Sequence, residues 1–285
     1  MRIAVVLLLY QSRSWMDGCL ATLIPALRAA GGGGVVLVDQ GSGDGARERS
    51  EALLGAAGVP FVVEAPGRNL GVAGGRNAGA RAAARLPGGS PAWLLFLDTD
   101  TELRNPAVLA ELLAFADAHP AAAILGPRLC GSDGELQRSA RRFPLPFDLA
   151  ANRLAKFGVP GFAARAARYH LAGFAFENAR PVAWIAGAAQ LMRTDLFTAL
   201  GGFEPGYFYG LEETDHCLRA WKAGHEVWFV PAGPVTHHVQ RLSSRSWRFL
   251  LLHLRSALRY FAAHLSDTAE AESRLAAAEK AAELE

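Results

Sequence analysis

Asp98 and Asp100 stand two residues apart, just beyond the apolar run Trp93-Leu94-Leu95-Phe96-Leu97. A short apolar run of this kind reads as a buried strand, so the two acids lie where that strand opens into a loop. Two carboxylates at such a mouth repel each other unless a cation or hydrogen-bond donors offset them. Their oxygens suit a hard divalent ion, and such an ion can in turn hold a diphosphate. A solvated surface turn is the plain alternative for an Asp-x-Asp taken alone.

Other chemistry-bearing groups recur at similar positions. Asp39 ends the apolar run Val35–Val38 and opens the loop Gln40-Gly41-Ser42-Gly43-Asp44-Gly45. A carboxylate there can accept the imide N–H of uracil or thymine; a tight turn with Asp44 as a helix cap is the alternative. The same loop fits a dinucleotide fingerprint (Gly41, Gly43, Ala46, then Glu64). That fit is poor: Asp44 would stand where a pyrophosphate belongs, and the loop follows the second strand. Asn69–Gly79 interleaves asparagine and glycine at a helix start beside Arg68 and Arg76, which suits an anion or close packing on a sheet. Glu212, Glu213 and Asp215 crowd one helical turn. They serve either a solvated helix start or a general base whose pKa is raised by repulsion and partial burial. His237 follows the last strand, and its imidazole could complete a metal site with Asp100.

The elements that must position these groups alternate over the first hundred residues. Apolar runs at 3–10, 35–38, 61–63 and 93–97 read as strands. The segments 15–30, 46–57 and 72–86 read as helices. This alternation predicts a parallel sheet covered on both faces, with ligands beyond the carboxyl ends of its strands. Further on, 106–119 and 211–223 read as helices, and 121–125, 182–192 and 227–230 have strand texture. Cys130–Gly134 reads as a hairpin turn. Residues 138–180 show no clean period and read as an irregular insertion suited to substrate contacts.

The bulk numbers exclude several classes. The chain has 285 residues, 51% of them hydrophobic, and a net charge of +2. That balance argues against nucleic acid as a partner. Cys19, Cys130 and Cys217 form no CxxC pair, which argues for a reducing compartment and against a zinc site. No apolar run is long enough to span a bilayer. The expectation is a cytoplasmic protein, with the inner face of the plasma membrane as a peripheral contact.

The order of motifs resembles the family 2 glycosyltransferases of GT-A fold, and among them the rhamnosyltransferase-like enzymes of bacterial polysaccharide assembly. The pieces are Val35–Gly45, Asn69–Gly79, Asp98–Asp100, Gly126–Leu129, Gly187-Ala188, Gly201–Phe203, Glu212–Arg219 and His237. The resemblance implies an α/β GT-A domain over 1–240, Rossmann-like with a mostly parallel central sheet and flanking helices, followed by a helical arm over 241–285. It implies an inverting, Mg2+- or Mn2+-dependent transfer from a dTDP- or UDP-linked sugar, dTDP-rhamnose being one candidate. The acceptor would be a hydroxyl of a glycan or lipid-linked glycan.

The same resemblance assigns Asp39 to the base, Asp98 to the ribose, and Asp100 and His237 to the metal. Tyr10, Arg68, Asn69 and Arg76 complete the nucleotide side. Glu213 takes the place of the base, with Glu212 and Asp215 beside it, and Trp184, Gly187 and Ala188 fall to the sugar and acceptor. Four features depart from the pattern: Glu212-Glu213 replaces Glu-Asp, Gln40 replaces Asn, Leu9-Tyr10-Gln11 replaces Thr-Tyr-Asn, and no glycine occurs in Val239-Gln240-Arg241. A nucleotide-sugar pyrophosphorylase and a non-catalytic nucleotide-sugar-binding module are the alternatives.

In the arm, Arg241, Arg245, Arg248, Arg255 and Arg259 form one helical stripe. Trp247, Leu250, Leu251, Leu254, Leu258 and Phe261 form an apolar face. The expectation is that this apolar face packs on the domain or on a second subunit while the arginines are solvated. An anionic membrane is the alternative.

Overall fold

The computed structural model describes residues 1–148, 151, 154–155, 158–238, 247–265 and 268–283. The boundary at 240/241, Arg241, Arg245 and the Val239–Arg241 departure lie outside the described residues.

The first half alternates as expected. Strands β1 (Ile3–Leu9), β2 (Gly34–Asp39), β3 (Phe61–Glu64) and β4 (Trp93–Leu97) are joined through helices α1 (Arg13–Ala29), α2 (Ala46–Ala57) and α3 (Gly71–Ala82). After the two-residue β5 (Thr101–Glu102) come α4 (Val108–Ala118), β6 (Ala122–Gly126) and the hairpin of β7 (Leu129–Cys130) with β8 (Leu136–Gln137). Then follow β9 (Ala140–Arg141), α5 (Ala163–Tyr169), β10 (Arg180–Pro181), β11 (Trp184–Ile185) and β12 (Ala189–Arg193). Last come α6 (Thr194–Ala199), α7 (Glu212–Lys222), β13 (Glu226–Phe229), β14 (Val235–His237), α8 (Trp247–His264) and α9 (Thr268–Ala282).

The eight-stranded sheet runs β10-β13-β6-β12-β4-β1-β2-β3. It is mostly parallel, with β12 antiparallel to both β4 and β6. Successive side chains of a strand point to opposite faces. Ile3, Val5, Leu7 and Leu9 therefore enter a core with α1 and α4, while Ala4 and Val6 enter the opposite core with α3. Leu9 pairs with Asp39 and Leu7 with Leu97, so β2 and β4 end at one edge. Asp39 and Asp98 share that edge.

The glycines of α3 answer a packing need. A Cβ at Gly79 would lie 2.3 Å from Val6 Cγ1, so only glycine lets the helix approach β1 this closely. The described residues of 138–180 include short elements that the lack of period did not predict. β9 pairs with β11, and α5 buries only Tyr169, too little for a helical stripe to show in the sequence.

The arm also departs from expectation. Trp247, Leu251, Leu254 and Leu258 are exposed, whereas Ser256, Ala257, Tyr260 and His264 are buried. The smaller, more polar face of α8 packs inward, because the surface it meets offers a carboxylate and backbone carbonyls as well as apolar groups. The helix α9 packs on α7 and β10.

Candidate active site

A second sheet, β5-β14-β7-β8, assembles the metal-type cluster. β5 begins directly after Asp100, and β14 pairs with it, His237 opposite Thr101. Asp98, Asp100 and His237 thereby offer ligand atoms that all lie within 4.8 Å of one another. His237 Nε2 is 3.6 Å from Asp100 Oδ1. On the other side of the ring, Nδ1 meets Gln137 Oε1 at 3.0 Å, and Gln137 Nε2 donates to the His237 carbonyl at 2.7 Å. A carbonyl oxygen can only accept, so Nδ1 donates, and Nε2 is the ring nitrogen turned toward the carboxylates, where the neutral tautomer has its lone pair. Two carboxylates and a neutral imidazole fit a divalent cation such as Mn2+ or Mg2+. Asp98 joins a ligand set that motif order assigned to Asp100 and His237 alone.

Beside this cluster opens a cleft of about 600 Å3 that includes Trp15, Gln137, Arg138, Arg141, His237 and His238 in its lining. His238 stacks on Trp15 and meets Glu102 at 3.2 Å.

Arg76 joins the cluster to the acids of α7. It is 3% exposed. Its Nη2 donates to Asp98 Oδ1 at 2.9 Å and to the Gly187 carbonyl at 2.7 Å. Nη1 lies 3.7 Å from Glu212 Oε1. The guanidinium also sits 5.8 Å from both the Phe96 and Phe203 ring centres. A buried charge persists only when paired in this way. Arg76 therefore occupies the interior of α3, not the helix-start anion site that the Asn69–Gly79 pattern suggested.

Gly187 makes room for it, since a Cβ there would lie 2.7 Å from Nη1. The Ala188 carbonyl accepts the Asp98 N–H at 2.9 Å. Both residues thus form scaffolding under Asp98. Trp184 is buried as well, its indole N–H donated to the Arg142 carbonyl and its ring under the Arg141 guanidinium. It thus sits beneath Arg141, which does line the cleft.

Glu212 opens α7 from Leu211, whose φ of +69° is a left-handed conformation that leucine rarely adopts. Such strain, on the order of 1–3 kcal/mol, tends to sit at functional sites. Burial pushes the Glu212 carboxyl well above the usual carboxylate range; neighbouring Glu213 pushes it further, and Arg76 opposes. Glu213 is half-buried. Tyr209 is near these acids: burial first, then the charges of Asp98, Glu212 and Glu213, push its phenol up to about 12.

Asp215 faces the other way. It accepts from Arg219 at 2.8 Å and from His264 of α8 at 2.7 Å, with the Tyr207 hydroxyl at 3.4 Å. Burial raises its carboxyl, but His264 and Arg219 outweigh this and hold it below the ordinary value. Its partners lie on the arm side of α7.

The nucleotide-side candidates gather at the strand ends. Asp39 Oδ1 accepts the Gly41 N–H, and Tyr10 and Arg68 are exposed. Asn69 Oδ1 accepts the Gly71 N–H at 2.7 Å in the turn that leads into α3. Gln40, which sequence reasoning noted only as a departure, ties the two loops by accepting the Leu70 N–H at 2.9 Å. Asp44 accepts the N–H groups of Arg13 and Ala46. A carboxylate thus fills the place a dinucleotide phosphate would need.

Residues 5–174 match the family model described as glycosyl transferase family 2. The chain belongs to that family. Among relatives of this glycosyltransferase is the N-acetylglucosaminyl-diphospho-decaprenol L-rhamnosyltransferase of Mycobacterium tuberculosis. It is 29% identical over 218 residues, covering 74% of this chain and 68% of the relative. The rhamnosyltransferase WbbL of Escherichia coli is 36% identical over 85 residues, 28% of this chain and 31% of its own. The fold of the glycosyltransferase is shared with S. aureus TarS solved with UDP (TM-score 0.61, 16% identity, 96% of this chain and 70% of that one). It is also shared with the mannosyltransferase PcManGT of Pyrobaculum calidifontis solved with GDP-Man and Mn2+ (TM-score 0.58, 17% identity, 98% and 75%). Both likenesses place the chain in the GT-A fold.

Proposed function

We propose that this glycosyltransferase moves a sugar from a nucleotide-diphosphate donor to an acceptor hydroxyl in one inverting displacement. The observation that carries the reading is the single guanidinium of Arg76 lying between Asp98 of the metal-type cluster and Glu212 of the acid pair. It supports donor and acceptor chemistry side by side.

Asp98, Asp100 and His237 would hold Mg2+ or Mn2+. When bound, the cation neutralises charge growing on the leaving diphosphate. Asp39 accepts the imide N–H of the base, with Tyr10, Arg68 and Asn69 around it. Burial makes the Glu212 carboxyl hold its proton more tightly than an ordinary carboxylate, and Glu213 beside it stands at the position of the base. The Glu213 carboxylate takes the proton of the acceptor hydroxyl as that oxygen attacks the anomeric carbon. Attack comes from the face opposite the leaving group, on a carbon with oxocarbenium character. The rhamnosyltransferase relatives favour rhamnose, from dTDP-rhamnose, and a lipid-linked diphosphosugar acceptor.

Two measurements test this. Melting with dTDP or UDP should shift upward only when Mn2+ or Mg2+ is present, because a ligand held through the cation stabilises the fold. Glu213→Gln should abolish turnover and keep that shift. Near-normal turnover in the variant would remove Glu213 as the base. A wild-type chain that binds donor and transfers to no acceptor would instead be the non-catalytic module.

A further inference from the structure

The outer face of α8 has no cover among the described residues. Trp247, Leu251, Leu254, Leu258 and Leu265 are between 50% and 73% exposed. Their spacing of four, three, four and seven residues puts them in one narrow line along a helix of 3.6 residues per turn. An arginine follows three of the five: Arg248 after Trp247, Arg255 after Leu254, and Arg259 after Leu258. Each lies about 100° further round, so a basic row flanks the apolar row on one side. Arg259 is paired with Glu204 at 2.6 Å, while Arg248 and Arg255 are exposed. No aspartate or glutamate occurs anywhere from Trp247 to His264.

We propose that this face lies in the plane of an anionic lipid bilayer, with the leucines and Trp247 among the acyl chains and Arg248 and Arg255 at the headgroup phosphates. A large apolar row with a basic flank and no acid is the pattern of an interfacial helix. Charge decides the occupant. A second copy of this helix offers no carboxylate to the arginines, whereas anionic headgroups do. No described helix is long and apolar enough to cross a membrane, so contact is at the surface.

The attachment of α8 gives the docking a purpose. Ser256 on its inner face donates to the Tyr209 carbonyl at 3.0 Å, three residues before Glu212. His253 lies 3.9 Å from where a Cβ on Gly210 would be. A bilayer held by the outer face of α8 is therefore one helix away from the loop that leads into the acid pair. This deepens the proposed function, and rests on it, by naming the surface on which a lipid-linked acceptor is met.

Flotation of the full chain with vesicles tests it without donor or acceptor. The chain should float with vesicles of phosphatidylcholine mixed with phosphatidylglycerol, stay behind with phosphatidylcholine alone, and be released by salt. Arg248→Glu with Arg255→Glu, and separately Leu251→Asp with Leu254→Asp, should each weaken partition by about tenfold or more. All four side chains are exposed, so both variants should melt as the wild type does. Wild-type failure to float at low salt, or variants that float like the wild type, would overturn the proposal. So would a wild-type dimer that Leu251→Asp with Leu254→Asp dissociates, which would give the face to a second copy. Metal-dependent donor binding, read by melting, is independent of flotation, so either reading can fail alone.

Discussion

Gln137 has no charge and belongs to no familiar catalytic pattern, yet it decides which nitrogen of His237 faces the carboxylates. Its amide holds the imidazole at both the ring and the backbone. Partners of this kind typically change metal affinity 10–100-fold when removed. Gln137→Leu should therefore weaken Mn2+ binding by about that factor, measured by titration, with little change in melting without metal. Unchanged affinity would show that the ring needs no such guide. The acids and His237 were legible in the sequence because strand ends followed by ionisable groups stand out. Gln137 was not, because its role depends on a hairpin bringing β8 toward β14. Arg76 was legible as a cation near a helix start, but its burial was not. That follows from Gly187, over a hundred residues away, leaving space for the guanidinium.

Among the elements, α3 shows how tightly the sheet constrains its cover. Gly79 rests on Val6 and Val38. Gly79→Val should destabilise the fold by roughly 1–3 kcal/mol, as overpacking does, read as a lower urea midpoint. An unchanged midpoint would mean the helix can lift off freely. The alternating first half was readable because apolar runs fully buried on both faces need no tertiary information to be recognised. The two- and three-residue strands β5, β7, β8 and β14 were not, since so short a run carries no period, and only pairing defines it. The exposed stripe of α8 was legible as a stripe but not in its direction. An amphipathic sequence says that one face differs from the other, while the neighbouring surface decides which one turns inward.

Across the whole molecule, the arm and the acid-bearing helix α7 share one buried polar knot. Asp215 is held below its ordinary value of 3.8 by His264 and Arg219. A carboxyl whose folded value is depressed contributes stability that is complete above the unfolded value and lost as pH falls through the folded one. The contribution should thus be full at neutral pH, begin to fall near the ordinary value of about 4, and vanish only below the depressed folded one. Asp215→Asn should lower stability by about 3 kcal/mol at neutral pH and flatten the acid side of the profile. Urea midpoints across that range would check both, and a variant with the wild-type acid slope would take Asp215 out of the account.

The knot has a consequence for how the molecule comes into being. On a ribosome, both acid clusters leave the exit tunnel before His264 does. Until then Asp215 lacks its imidazole and keeps only Arg219 of its own helix and the Tyr207 hydroxyl. Assembly of the candidate site is deferred until α8 has been made. A shortened chain ending near residue 240 would keep every candidate for the chemistry and lose the clasp that seats it.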